Sequence, residues 1–215
     1  RDELIALGYA FFSHSDTEVI LKAFAAWGPD CVKRFNGMFA FAIHERDSGR
    51  LFLARDRLGI KPLYFSEGRG GRALRFASTL PALLAPGDVD TSIDPVALHH
   101  YMTFHAVVPP PFTMVRGIRK LPPATIAIIE PDGTRNDHVY WAPTFQRETR
   151  DADMPSSAWR DLVHETLRAA VKRRMVADVP VGVLLSGGVD SSLIVALLAE
   201  AGQTDLKRSE ERRVG

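Results

Sequence analysis

At 215 residues the chain is long enough for one large or two small domains. Its hydrophobic content of 46% and charged content of 25% are those of an ordinary globular protein, and a formal net charge of +1 gives no attraction for nucleic acid or for an acidic membrane surface. No apolar run approaches membrane-spanning length, and a lone cysteine, Cys31, excludes an internal disulfide, in agreement with a reducing cytoplasm.

Arg1 to Leu7 reads as a helix already under way. No signal peptide opens the chain. With no initiator methionine at one end, and no apolar period at the other where a second strand would be expected, the chain is expected to be a fragment cut at both ends. Ser15-Asp16-Thr17-Glu18 is a capping box that opens a helix burying Val19, Ile20, Ala23, Phe24 and Trp27, stopped by Gly28 and Pro29. The period then changes to two. Met38 to His44 and Arg50 to Arg55 pair around Asp47-Ser48-Gly49, and Leu63 to Phe65 pairs with Ala73 to Ala77 around Gly68 to Gly71. Ser78 is placed to cap a short helix to Leu84, and Asp94-Pro95 starts another that runs through Phe104. Ala124 to Glu130 is a strand, Pro131-Asp132-Gly133 a turn, and Val139-Tyr140-Trp141 the closing strand.

Residues 142–156 are polar and aperiodic, a linker. Ser157 is expected to cap a long helix with Trp159, Val163, Leu167, Ala170 and Val171 on one face and a basic end at Lys172-Arg173-Arg174. The chain therefore reads as a strand-rich antiparallel domain over 1–141, the linker, and the start of a parallel α/β domain over 157–207. The latter should hold no more than one complete strand. The tail 208–215 has no apolar period; it resembles translated adapter sequence, and a natural basic-acidic helix end is the other reading.

Val181 to Ser192 carries the chemistry. An apolar run long enough for a buried strand breaks at Ser186-Gly187-Gly188, and an apolar helical pattern follows from Leu193. Strand, glycine loop and helix present backbone N–H groups to an anion. Ser186, Ser191 and Ser192 add hydroxyls, and Asp190 can hold Mg2+. The loop lacks the Gly-Lys-Ser/Thr ending of a Walker A loop and has no G-x-G-x-x-G. Leu184 stands where a nucleophile elbow needs glycine, so Ser186 is a poor nucleophile. A tight strand-to-helix turn rich in small residues remains the plain alternative.

The stretch resembles the S-G-G-x-D-S pyrophosphate loop of enzymes that cleave ATP between its α- and β-phosphates. Three further stretches, Ser15-Asp16-Thr17-Glu18-Val19, Phe35-Asn36-Gly37-Met38-Phe39-Ala40-Phe41-Ala42-Ile43 and Ala54-Arg55-Asp56-Arg57-Leu58-Gly59-Ile60-Lys61-Pro62-Leu63-Tyr64, resemble the glutaminase domain of the glutamine-hydrolysing asparagine synthetases. The resemblance runs from Arg1 to about Gln203. It implies an N-terminal-nucleophile hydrolase, a four-layer α-β-β-α sandwich, followed by the start of an adenine-nucleotide α-hydrolase-like α/β domain. Ammonia from glutamine would pass to a carboxylate adenylated by ATP, with Mg2+ as cofactor and aspartate or a related carboxylate as acceptor.

Residue by residue, the resemblance gives Asp16 to the α-amino group of glutamine. It gives the backbone of Leu185 to adenine, and Ser186, Gly187, Gly188, Val189, Asp190, Ser191 and Ser192 to ATP, with Asp190 also the metal ligand. It places the nucleophile at an N-terminal cysteine that the chain does not contain, with the arginine loop and the Asn-Gly of the oxyanion hole also ahead of Arg1, so the fragment by itself is expected to be inactive. Cys31 is read as a small buried hydrophobe, not a substitute. His14, His99, His100 and His105 lack metal-ligand spacing. Arg55, Asp56, Arg57 and Lys61 read as an internal ion-pair network near the domain interface.

Ser78 to Leu83 and His99 to Pro109 depart from the usual family pattern and are similar to the branch that amidates N-acetylglutaminylglutamine. That acceptor, another pyrophosphate-loop ligase such as a tRNA-thiolation or β-lactam synthetase, and an inactive truncated product are the alternatives to asparagine synthesis. Cytoplasmic placement is expected, with small-molecule substrates, no nucleic acid, no membrane, and a homodimer among the assemblies to consider.

Overall fold

The computed structural model describes residues 1–68, 73–146, 151–202 and 207–210, the last four by backbone alone. The chain forms two compact units, Arg1–Thr144 and Phe145–Gly215. In the first, helices α1 (Asp2–Ala6) and α2 (Asp16–Trp27) and a 3-10 segment (Gly28–Arg34) precede β1 (Ala40–His44) and β2 (Leu51–Arg55). Then come β3 (Tyr64–Glu67), β4 (Leu74–Ala77), α3 (Leu80–Leu84), α4 (Pro95–Thr103), β5 (Arg119–Lys120), β6 (Thr125–Ile129) and β7 (Arg135–Val139). The second unit holds α5 (Ser156–Arg174), β8 (Gly182–Leu185), α6 (Val189–Glu200) and β9 (Lys207–Glu210).

The strands of the first unit make two antiparallel sheets, ordered β1-β2-β6-β7 and β4-β3-β5. Side-chain alternation assigns their faces. Phe52 pairs with Ile43 and Ile128, so Phe41, Ile43, Phe52, Ala54, Ile126 and Ile128 share one face of the first sheet. That face packs on α1, α2 and the 3-10 segment through Leu4, Ala23, Phe24, Cys31 and Val32. Phe24 meets Phe52 edge-on, with ring centroids 4.7 Å apart. Phe52 is 1% exposed, and a side chain of that size stabilises the fold by roughly 1.5–3 kcal/mol through burial alone.

The opposite face carries Ala40, Ala42, Leu51, Leu53 and Ala127, and meets Leu74 on β4 together with Leu63 and Leu121, which flank β3 and β5. Arg135 on β7 lies 4.0 Å from the ring centroid of Phe65 on β3, a second stitch between the sheets. The far face of the second sheet, with Tyr64 and Ala77, packs on α3 through Leu80 and Leu83. Helix, sheet, sheet, helix is therefore the order of layers, and the four-layer sandwich implied by the sequence resemblance is what forms.

Several local readings need correction. The helix at 80–84 has Thr79, not Ser78, at its N-cap, with no side-chain cap bond. The closing strand is Arg135–Val139, paired with Thr125–Ile129, not 139–141. It is an edge strand with polar, exposed positions at Asn136, Asp137 and His138, so no apolar alternation marks it. Helix α5 begins at Ser156 after Pro155, without a side-chain cap bond from Ser157. Its expected apolar face is covered unevenly: Val171 and Leu167 pack with Leu197 and Leu198 and Trp159 is half-buried, whereas Ala170 is exposed and Val163 is 51% exposed.

The loop strand is not buried either, since Leu184 is 78% exposed and only Val183 joins the small core with α5 and α6. A parallel strand is covered on both faces only when helices lie on both. The second unit holds a parallel pair, β8 with β9, where one strand was expected. Part of the segment read as an aperiodic tail thus has strand backbone, while 211–215, the turn residues 69–72 and the linker residues 147–150 lie outside the described residues.

Candidate functional site

Helix α2 starts where Ser15, in extended backbone, accepts a hydrogen bond from the Thr17 amide at 3.2 Å. Asp16 is the first helical residue, exposed, and its carboxylate has no partner among the described residues. Glu18, read from sequence only as the closing member of a capping box, does something else. Its side chain does not reach back to the Ser15 amide. It is buried and accepts from the Phe12 amide (3.1 Å), the Ser13 amide (2.8 Å) and the Ser13 hydroxyl (2.7 Å). Lys22, one helical turn on, pairs with it at 2.9 Å and also donates to the Ala10 carbonyl. Burial pushes the Glu18 carboxyl up, but hydrogen bonds from Ser13, Lys22 and Phe12 together outweigh it and hold the group down at about 2.

The Arg55, Asp56, Arg57 and Lys61 cluster is not an ion-pair network. Among the described residues no salt bridge joins its members, and the Asp56 carboxylate and the Arg55 guanidinium are both spent on backbone. Asp56, 1% exposed, accepts from the amides of Phe39 (3.2 Å), Leu58 (3.2 Å), Ile60 (2.9 Å) and Lys61 (2.9 Å). The Arg55 guanidinium donates to the carbonyls of Lys61, Gly59 and Leu121. Gly59 closes this turn at φ +64, and a Cβ there would come within 2.9 Å of Pro123 Cγ. The Tyr140 hydroxyl donates to the Arg55 carbonyl at 2.8 Å. Burial, then the Asp56 charge, pushes that phenol up to about 12. The sequence signal for this arrangement was the single carboxylate between two arginines ahead of a glycine turn; charge counting obscured it.

Among the described residues no cluster of histidine, cysteine and carboxylates has metal-binding geometry. His100 stacks on Phe104 with centroids 5.5 Å apart and lies 5.9 Å from Phe112, a packing role, while His14, His99 and His105 are exposed. Cys31 is fully buried, and burial pushes its thiol up to about 11. In native protein at pH 8, Cys31 should therefore react with an iodoacetamide probe at least about a hundredfold more slowly than in denatured protein. Equal labelling rates would show that the thiol is accessible.

In the second unit the structure brings together the serines that the sequence singles out. Ser186 and Ser191 hydroxyls lie 3.2 Å apart, and the Ser191 and Ser192 hydroxyls both donate to the Gly188 carbonyl, at 3.1 and 2.8 Å. Gly187 has φ +80, which a side chain resists, and Gly188 is the N-cap of α6 with no side chain to occupy the helix N–H groups. Ser186, Gly187, Gly188, Val189 and Asp190 are exposed, and Leu185 is half-buried on β8. Asp190 sits in the first turn of α6 with no carboxylate partner among the described residues. The arrangement offers an anion an open helix N-terminus, with hydroxyls and a carboxylate at its edge.

The chain matches the glutamine amidotransferase domain family over residues 1–141 and the asparagine synthase family over residues 162–209. Among curated proteins it is 37% identical over 199 residues to asparagine synthetase [glutamine-hydrolyzing] 3 of Bacillus subtilis, covering 93% of this chain and 31% of that protein. It is 36% identical over 200 residues to asparagine synthetase [glutamine-hydrolyzing] 1 of the same organism, covering 93% and 30%. The chain thus spans about a third of the length of the curated relatives it matches. A solved glutamine phosphoribosylpyrophosphate amidotransferase from B. subtilis superimposes over 100% of this chain and 44% of its own, at a TM-score of 0.43 and 18% identity. The fold assignment rests on the layers themselves, not on that likeness.

Proposed function

The chain belongs to the glutamine amidotransferase domain family, and from that premise we propose that the full-length protein transfers the amide nitrogen of glutamine to a carboxylate activated by ATP, making asparagine from aspartate. The observation that carries this reading is the pairing, in one chain, of the layered sandwich bearing an exposed, unpartnered Asp16 with a separate unit bearing the Ser186–Ser192 turn. Neither feature alone names the reaction. One supplies a carboxylate for an amino-acid ammonium; the other supplies an anion cradle on a parallel strand. In this reading residues 1–141 are the glutaminase domain, 142–156 a linker and 157–207 the start of the ATP-using domain.

Asp16 holds the α-ammonium of glutamine and so fixes the side-chain amide at a set distance from the helix. The backbone of Leu185 faces adenine. The free N–H groups of Val189, Asp190 and Ser191, together with the Ser186 hydroxyl, hold the pyrophosphate. Gly187 fits this role through its φ of +80, since a Cβ there would meet nothing within 4 Å: the constraint is backbone conformation, not room. Asp190, a hard oxygen donor at the loop edge, fits Mg2+, which when bound neutralises charge on the leaving pyrophosphate. The reading places the enzyme in the cytoplasm; no helix among the described residues is long and apolar enough to cross a membrane.

The test uses the full-length protein with amide-15N glutamine, aspartate and ATP. The expected result is 15N in the side chain of asparagine, with AMP and pyrophosphate formed in equal amounts. ADP and phosphate as products would overturn the loop assignment. With aspartate and N-acetylglutaminylglutamine supplied together as acceptors, label in a new terminal amide of the dipeptide, with none in asparagine, would overturn the acceptor.

A further inference from the structure

Glu18 has no place in the glutamine reading, yet it is among the most heavily bonded side chains next to Asp16. It is 6% exposed, on the first turn of the same helix, and its carboxylate takes three hydrogen bonds and an ion pair. A carboxylate is removed from water only where its acceptor sites are filled, and here they are filled by the chain that leads into Asp16. The bonds form a relay. Glu18 fixes the amide and hydroxyl of Ser13. The Ser13 hydroxyl accepts from the Ser15 amide at 3.2 Å. The Ser15 hydroxyl in turn accepts from the Thr17 amide and sets the N-cap from which Asp16 projects. Lys22 braces the same segment from the other side, donating to the Ala10 carbonyl and lying 4.9 Å from the Phe11 ring centroid.

We propose that Glu18 is a positioning residue for glutamine: it holds residues 12–15 in the one arrangement that aims the Asp16 carboxylate at the substrate ammonium. The inference rests on the assignment of Asp16 above. Asp16 itself is exposed and, among the described residues, unbraced by any side chain, so its aim depends on the backbone at 13–15, which Glu18 sets. An ion pair misplaced by about an ångström loses much of its binding contribution. The loss falls on the ground state and transition state alike, because the ammonium is remote from the amide that reacts; such losses raise KM with little change in kcat.

The experiment measures glutamine hydrolysis by the full-length protein. Glu18→Gln keeps the shape, but its one oxygen can accept from either Phe12 or Ser13, and its NH2 then faces the donors of the other. KM for glutamine should rise about tenfold or more with kcat within about twofold. Glu18→Asp, which keeps the charge on a shorter arm, should recover part of the affinity. Ser13→Ala breaks only the relay and should raise KM by a smaller factor, so the inference stays testable if Glu18→Gln does not fold. Glu45→Gln, at a carboxylate bonded to Ser48 and Arg50 in the β1–β2 hairpin, should leave both constants alone. If Glu18→Gln and Ser13→Ala lower thermal stability but leave KM unchanged, Glu18 only holds the fold and the proposal is wrong. Asp16→Asn without effect on KM would overturn the glutamine-site assignment, and this inference with it. A raised KM in Asp16→Asn beside a normal one in Glu18→Gln would overturn the inference alone.

Discussion

Replacing Asp56 by alanine should destabilise the first unit by about 3–5 kcal/mol. The side chain is 1% exposed and ends on the backbone amides of Phe39, Leu58, Ile60 and Lys61. Each buried N–H left without an acceptor costs about 1–3 kcal/mol, and water entering the turn recovers some of that. Asn is no remedy. Its one carbonyl oxygen can serve one pair of amides, but its NH2 then faces the donors of the other pair. Urea unfolding of the alanine and asparagine variants, followed by amide exchange in β1, gives the comparison. A loss below about 1 kcal/mol in the alanine variant, the size of an ordinary surface change, would mean that the turn holds itself together without the carboxylate.

Asp190→Asn in the full-length protein should lower ATP-dependent amide formation about a hundredfold or more while leaving glutamine hydrolysis near normal. That size follows when a preorganised electrostatic group at the site of charge development is removed. The asymmetry follows from topology, because Asp190 and Asp16 belong to different compact units. Both kcat and kcat/KM should fall together, the mark of an interaction made in the transition state. The measurement is AMP formation with acceptor present, run beside ammonia release from glutamine. Full synthetic activity would remove Asp190 from the metal role. Equal loss of both activities would make it a structural residue of α6.

Whether an element could be read from sequence depended on whether its side chains report their own surroundings. The buried stripe of α2, the Asp94-Pro95 start of α4 and the β1–β2 hairpin were legible because apolar period, cap and turn residues agreed. Strand β7 was placed too late because an edge strand owes its existence to a partner, Thr125–Ile129, and its own residues have no apolar period. The burial of Leu184 was overstated for a related reason: an apolar strand records the cover that a sheet can have, not the cover it has among the described residues. In the candidate site, Asp16 and the residues of the Ser186–Ser192 turn could be named from sequence as residue types in order. Glu18 and Asp56 were misjudged because their partners are backbone amides, which carry no letter in the sequence.

The order of strands in the first sheet also bears on how the protein comes into being. Strand β2 ends at Arg55, and its neighbour β6 begins only at Thr125. Between them in the chain lie β3, β4, α3, α4 and β5. Contacts this far apart in sequence are slow to form, since the closing entropy of a long loop must be overcome before any pairing rewards it. A chain emerging from the ribosome would hold the β1–β2 hairpin, its inner edge bare, through the synthesis of β3, β4, α3, α4 and β5. Such an edge is a template for wrong partners. The arrival of β6 relieves it and does more. Ile126 on one face joins the core beneath the helices, and Ala127 on the other joins the core between the sheets. The two cores are then completed in one event, by a strand that the nascent chain receives late.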